Sequence, residues 1–217
     1  MLKAQIVPVT GFQQNCSIIW CDETMEGALV DPGGDYQKIL QAVDKVGITL
    51  KKILLTHGHL DHAGGSADIK DTHDLPIIGP HKDDQFWLDG IEEQAANYGM
   101  PGLRCCTPDQ YLSDGDQVTL GALIFDVFHC PGHTPGHVVF HEPKSNVAFV
   151  GDVLFKGSIG RTDFPKGNHQ DLLDSIAQKL WPLGPDVTFV PGHGPLSTFG
   201  HERQSNPYVA DHVLKAG

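Results

Sequence analysis

The chain has 217 residues, of which 40% are hydrophobic and 19% are charged, a balance that is typical of ordered globular proteins rather than disordered ones. Aspartate and glutamate number 27 against 15 lysines and arginines, so the formal net charge of −12 disfavours nucleic acid as a partner. No apolar stretch approaches the roughly 20 residues that a membrane span needs, so we expect one domain over residues 1–217 with no membrane partner.

The first third of the chain alternates short apolar runs with turn residues. It starts MLKAQIVPVTG, without the features of a signal peptide, and we therefore expect the protein in the cytoplasm. The apolar runs predict strands over residues 6–9, 16–21 and 28–30. Helical spacing over residues 35–47 predicts an amphipathic helix, with Asp35 capping its start and Gly47 ending it.

A cluster of histidines follows the next predicted strand, residues 53–55. An extended chain points alternate side chains to the same side, so His57 and His59 can converge on one ion. A turn then brings Asp61 and His62 towards a neighbouring position. One loop is therefore predicted to serve two metal ions.

The rest of the chain supplies further strands and helices. The predicted elements are a strand over 76–79, one or two short helices within 83–99, strands over 117–120, 122–130, 137–142 and 146–152, a helix over 169–184, a strand over 187–193 and a short helix within 207–215. The order of strands, helix, strands and helix predicts two sheets that are covered by helices on their outer faces.

A side chain that can bind a metal lies at the end of three of these later strands or shortly after it. These side chains are His133, Asp152 and His193, and a glycine stands immediately before each of them. Such glycines indicate tight turns in which the backbone approaches the site closely. The three side chains are therefore expected to join the histidine loop.

The cluster favours a metal centre over separate structural roles. A lone histidine is more often a satisfied core or surface residue, but four metal-capable side chains in one loop would be costly without an ion. Imidazole and carboxylate ligands suit zinc, iron or manganese. Because no cysteine is suitably placed, a structural zinc site of the cysteine type is not expected.

The HxHxDH loop, with a later histidine, aspartate and histidine, resembles the signature of the metallo-beta-lactamase superfamily. The segments PGHTPGH, GRTDFP and PGHGP are similar to the short form of the glyoxalase II group, the hydroxyacylglutathione hydrolases, and the resemblance covers about residues 15–195. It implies an α/β fold of four layers, the αβ/βα sandwich. The ligands that it implies are His57, His59 and His133 for a first metal, Asp61, His62 and His193 for a second, and Asp152 as a bridge.

The same resemblance implies a reaction. A thioester, S-lactoylglutathione or a related hydroxyacylglutathione, would be hydrolysed to glutathione and a hydroxy acid, as in methylglyoxal detoxification. Two divalent metal ions, zinc ahead of iron or manganese, would hold a bridging hydroxide that attacks the carbonyl. Asp61 and Asp152 are the candidate catalytic carboxylates, Asp61 also as a proton acceptor. We expect a monomer that acts on a small-molecule thioester.

Several residues near these motifs have less specific roles. His137 is expected to support the site rather than to bind a metal. Lys156 and Arg161 flank the GRTDFP turn and are candidates for contact with a substrate carboxylate, although a solvated surface role fits equally. Cys130 is a candidate nucleophile beside His133, but its place at the end of a buried strand favours simple packing.

Three other functions fit part of the pattern. An iron-dependent persulfide dioxygenase acting on glutathione persulfide would need only His57, His133 and Asp152, and would not require the second set of ligands. A β-lactamase is disfavoured by the adjacent aspartate and histidine, the bridging aspartate and the lack of a signal peptide. A module that uses its ions only for folding is disfavoured because structural zinc sites are closed and rich in cysteine. Only residues 194–217 follow His193, so the helical domain of full-length glyoxalase II enzymes is not expected.

Overall fold

The computed structural model describes residues 1–214, whose strands form two main sheets. The strands of the first sheet, in spatial order, are β1 (Leu2–Val9), β2 (Gln14–Cys21), β3 (Glu26–Val30), β4 (Thr49–Leu54) and β5 (Ile77–Ile78). β1, β2 and β3 pair in antiparallel fashion, whereas β4 runs parallel to both β3 and β5. The predicted histidine loop leaves the carboxyl end of β4.

The second sheet is built from the carboxyl-terminal half of the chain. Its elements begin with β6 (Gln117–Leu120), β7 (Leu123–His129), β8 (Val138–Glu142) and β9 (Val147–Gly151), continue after a hairpin of β10 (Leu154–Phe155) and β11 (Ser158–Ile159), and end with β12 (Thr188–Pro191) and β13 (Ser197–Thr198). The spatial order is β13-β12-β9-β8-β7-β6, with β12 parallel to β9. The ends of β9 and β12 therefore lie side by side.

Helices cover the outer face of each sheet. The first sheet is covered by α1 (Tyr36–Val46), α2 (Leu60–Ala63), α3 (Ser66–His73), α4 (Gln85–Asp89) and α5 (Ile91–Asn97). The second sheet is covered by α6 (His169–Ser175) and α7 (Phe199–Ser205), and α8 (Asp211–Leu214) follows. Among the described residues, no helix combines the length and the hydropathy needed to cross a bilayer.

The alternation of side chains along the strands explains the layers. Ile18 packs between the first sheet and its helices, while its neighbour Ile19 lies between the two sheets. In the second sheet, Phe140 faces the space between the sheets and Val139 faces the layer that contains Leu172 of α6. The predicted four-layer αβ/βα sandwich, two mixed sheets flanked by helices, is confirmed.

Some local predictions were wrong or incomplete. Asp35 does not cap α1: its φ is 48°, and its carboxylate accepts a hydrogen bond from the Thr10 N–H at 2.8 Å. The expected end at Gly47 is confirmed, since its φ is 75° and its N–H donates to the Val43 carbonyl.

Two predicted helices are shorter than expected. The helix over residues 169–184 is α6 followed by a π turn (Ile176–Leu180) and a 3-10 turn (Trp181–Leu183), the latter containing Pro182, which has no N–H to continue an α-helix. The helix within 207–215 is α8, and Lys215 lies outside the described residues.

Candidate metal centre

The structure brings together all seven side chains that the sequence analysis selected as ligands. Three imidazoles form a first group, in which His59 Nδ1 lies 3.1 Å from His57 Nε2 and 3.0 Å from His133 Nε2. A tetrahedral ion with ligands at about 2.0–2.1 Å requires donor separations of about 3.4 Å. These nitrogens are therefore spaced for one ion.

A second group lies beside the first. His193 Nε2 is 3.2 Å and His62 Nε2 is 3.8 Å from Asp61 Oδ2. Asp152 stands between the groups, with Oδ2 at 3.6 Å from His133 Nε2 and Oδ1 at 3.4 Å from His62 Nε2. A single carboxylate thus faces both groups.

Two buried polar atoms that make no hydrogen bond in the described part of the chain also indicate that the donor set fits two metal ions. His62 Nε2 and Asp152 Oδ1 are buried, and neither atom makes a hydrogen bond within residues 1–214. Buried polar atoms without hydrogen bonds are costly, and a cation between these two, which face each other at 3.4 Å, would satisfy both. Nitrogen and carboxylate donors of this kind suit zinc, iron or manganese.

Hydrogen bonds orient the histidine rings so that their other nitrogens face the ion positions. The Thr56 hydroxyl donates to Asp31 Oδ2 at 2.6 Å and lies 3.0 Å from His57 Nδ1, which makes this nitrogen the donor to Thr56. His133 Nδ1 lies 2.7 Å from the Arg161 carbonyl oxygen, and His193 Nδ1 lies 3.2 Å from a carbonyl oxygen on the loop after β1. Such partners fix the tautomer and leave Nε2 free to bind a metal.

The pKa values of the histidines are shifted in opposite directions in the two groups. Burial, together with the neighbouring histidines, lowers the pKa of His57 well below its ordinary value and that of His59 to about 3. Burial would also lower the pKa of His62, but the carboxylates of Asp152 and Asp61 outweigh it and raise this pKa well above the ordinary value. The first group therefore holds neutral imidazoles, whereas the second holds a proton that a metal ion would displace.

The glycines before the later donors permit a close approach. A Cβ at Gly192 would collide with Asp152 Oδ1 and would lie 2.6 Å from His62 Cε1. At Gly151, where φ is 48°, a Cβ would lie 2.5 Å from the Thr56 hydroxyl. The prediction that these turns bring backbone against the site is confirmed at Gly151 and Gly192, whereas a Cβ at Gly132 would meet Leu172 of α6 instead.

Supporting residues complete the site, and the sequence analysis missed two of them. Asp31 holds both His62 Nδ1 and Thr56, and its position at the end of a buried strand was the available signal. Asp84 is the other, and its sequence context carries no comparable signal. His137 contacts two of the donor residues: its Nε2 accepts the Asp152 N–H at 3.0 Å, and its ring stacks on His57.

The three remaining candidates occupy different environments. Arg161 is exposed, forms an ion pair with Asp163 and lies 4.6 Å above the Phe164 ring, which itself contacts His59. Lys156 is exposed in the turn between β10 and β11. Cys130 is fully buried, and burial raises the pKa of its thiol to about 12, which fits packing rather than nucleophilic catalysis.

The sequence model of the metallo-beta-lactamase superfamily matches residues 9–193 of the chain, a span that contains all seven donors. The chain belongs to the metallo-beta-lactamase superfamily. Within the matched span, the described residues carry histidine and aspartate groups suited to two metal ions.

Relatives in the superfamily match nearly the whole chain. The hydroxyacylglutathione hydrolase GloC of Haemophilus influenzae is 44% identical over 96% of this chain and 98% of its own length. The probable metallo-hydrolase YqgX of Bacillus subtilis is 33% identical over 96% of this chain and 98% of its own length.

Two solved structures are similarly close. The B3 metallo-beta-lactamase BLEG-1 has a TM-score of 0.87 and 36% identity, covering 96% of this chain and 99% of that chain. TTHA1623 in a di-iron-bound form has a TM-score of 0.86 and 35% identity, covering 94% of this chain and 100% of that chain. Both solved structures thus share the fold over nearly all of this chain.

Proposed function

We propose that the protein hydrolyses a thioester, S-lactoylglutathione or a related hydroxyacylglutathione, to glutathione and a hydroxy acid. The observation that carries the proposal is the pair of donor groups that share Asp152, in a chain that is 44% identical to a hydroxyacylglutathione hydrolase. A thiolate whose conjugate acid has a pKa of about 8.5 leaves without a strong general acid. A thioester therefore suits a site in which the buried polar side chains bind the metal ions or support the metal ligands, since its leaving group requires no strong general acid.

The proposed roles of the residues follow from their positions. Two divalent cations, which we propose to be zinc, would lower the pKa of a bound water molecule and polarise the substrate carbonyl. Asp61 would stay ionised and bind a metal: burial raises its pKa, but His62 and His193 outweigh burial and lower it. Arg161, exposed beside the Phe164 ring, would contact a substrate carboxylate, with Lys156 as the second candidate for that role.

The proposal extends to the setting of the reaction. We propose a single-domain monomer in the cytoplasm that removes the glutathione thioester formed from methylglyoxal. All five cysteines are free, which fits a reducing compartment. Gel filtration coupled to light scattering measures the molar mass in solution. The mass of one chain is expected, and the mass of a dimer or larger oligomer would contradict the proposed monomer.

One experiment tests the reaction. Purified protein is assayed for metal content and for hydrolysis of S-lactoylglutathione, with Asp152→Ala as the inactive variant and the exposed Asp186→Ala as the matched control. We expect about two metal ions per chain and hydrolysis that only Asp152→Ala abolishes. If a coenzyme A thioester were hydrolysed as fast as S-lactoylglutathione, the proposal that glutathione is the thiol carrier would be contradicted.

Two further substrates in the same experiment test the alternatives. Oxygen uptake with glutathione persulfide and one iron per chain would identify a dioxygenase, which the presence of Asp61, His62 and His193 disfavours. Cleavage of a chromogenic β-lactam without thioester cleavage would identify a β-lactamase. Either result would overturn the proposed thioesterase.

A further inference from the structure

Asp84 is a buried carboxylate that lies outside the donor groups and contacts both loops of the first group. Its Oδ2 accepts hydrogen bonds from the Gly58 N–H at 2.9 Å and the Thr134 hydroxyl at 2.7 Å. Its Oδ1 accepts one from the Gly136 N–H at 2.6 Å. Gly58 stands between His57 and His59, and Thr134 follows His133. One carboxylate therefore joins the segments that carry all three imidazoles of the first group.

The backbone around Asp84 is packed directly against both loops. A Cβ at Gly58 would lie 2.9 Å from the Asp84 carbonyl oxygen and 2.8 Å from Trp87 Cβ. A Cβ at Gly136 would lie 2.5 Å from the Asp84 nitrogen, and the Gly136 carbonyl accepts the His81 N–H at 3.0 Å. The two loops are thus held against one short segment, residues 81–87, by close backbone contact as well as by hydrogen bonds.

The charge of Asp84 makes these bonds strong. Burial raises the pKa of its carboxyl to about 6, and the three donors oppose that shift, so the group is ionised at pH 7.5. Hydrogen bonds to an ionised acceptor are roughly twice as strong as those between neutral groups. Beyond Asp84, the ring of Trp87 packs edge-on against His59 at 4.5 Å.

The second group is held by other partners. His62 Nδ1 pairs with Asp31, and His193 Nδ1 with the carbonyl of Phe12. We propose that Asp84 is a positioning residue that sets the geometry of the first group and leaves the second group unaffected. This inference rests on the proposed function only in that both groups bind metal ions.

The test uses two single-group proteins, in each of which the other group has lost one of its donors. His193→Ala retains the first group and His133→Ala retains the second, and zinc affinity is measured by competition with a chelator. We expect Asp84→Asn to weaken zinc binding by about 10- to 100-fold in the first protein and by less than about twofold in the second. The neighbouring Asp83→Asn is the matched control, because Asp83 is exposed, and it should change neither affinity.

A second pair of variants separates positioning from stability. Thr134→Val removes one of the bonds to Asp84, whereas Thr134→Ser keeps the hydroxyl and should restore affinity. This pair carries the test if Asp84→Asn does not fold, which circular dichroism of the metal-free protein reports. Equal loss of zinc at both groups, or no loss at the first, would overturn the proposal. Zinc binding without thioester cleavage would overturn the proposed function instead, since these affinities are measured without substrate.

Discussion

His62 Nδ1 lies 2.9 Å from Asp31 Oδ2, and both side chains are buried. The same carboxylate oxygen accepts the Thr56 hydroxyl, which contacts His57 Nδ1. Asp31 therefore touches the second donor group directly and reaches the first only through Thr56. A buried carboxylate in this position fixes the tautomer of the metal-binding imidazole and increases its basicity.

Replacing this carboxylate should affect the second ion most. In Asp31→Asn, one acceptor oxygen becomes an amide nitrogen, which cannot accept the His62 N–H. We expect affinity for the second ion to fall by about 10- to 100-fold and that for the first ion to fall less, measured by chelator competition. Asp44→Asn, on the exposed face of α1, is the control and should leave both affinities unchanged. A larger loss at the first ion would contradict this assignment.

Proton release should distinguish the two groups. The pKa values of His57 and His133 are lowered by burial, so these imidazoles are already neutral, whereas those of His62 and His193 are raised by nearby carboxylates that outweigh burial. A raised pKa keeps the proton on the metal-free protein, so its affinity for the ion increases as pH rises, by about tenfold per pH unit for each proton displaced.

Calorimetry in two buffers of different ionisation enthalpy measures this release. In the single-group proteins described above, we expect little proton release at the first group and about one proton or more at the second. A metal affinity of the second group that does not change between pH 6 and pH 8 would show that His62 is neutral before the ion binds.

Gly192 should tolerate no side chain. A Cβ there would collide with Asp152 Oδ1 and approach His62 Cε1, so Gly192→Ala would displace the shared carboxylate. We expect metal content below about two ions per chain and a loss of hydrolysis of about 100-fold. Gly11→Ala is the matched control, since a Cβ at Gly11 meets no atom within 4 Å. Full metal content in Gly192→Ala would mean that the loop has room to move.

Cys130 should prove dispensable for the reaction. Its thiol is fully buried and burial raises its pKa to about 12, so Cys130→Ala should retain hydrolysis to within about twofold while losing roughly 1 kcal/mol of stability from the small cavity. Alkylation of the native protein should label the partly exposed Cys105 before Cys130. Loss of hydrolysis without loss of metal would restore a catalytic role for this thiol.

The sequence predicted secondary-structure elements well where they depend on the hydrophobic pattern of neighbouring residues. The apolar run that defines β2 and the helical spacing of α1 depend on neighbouring residues, and both elements are present. The cap at Asp35 failed because its carboxylate is taken by the backbone of Thr10, a partner far along the chain that no local pattern encodes. The strand predicted over residues 76–79 shortened to β5 because only two residues pair with β4.

The sequence by itself determined which side chains gather as donors, because the chemistry of histidine and aspartate at strand ends depends on spacing and residue type. Residue type and spacing did not divide the donors into two groups; the tertiary structure does so, since His133, Asp152 and His193 follow separate strands whose order is a long-range property. It also decided the supporting contacts: Asp84 is held by Gly58 and Gly136 across the molecule. Hydrogen bonds between segments distant in sequence form only after the sheets pack, and single residues in loops carry no periodic signal of them.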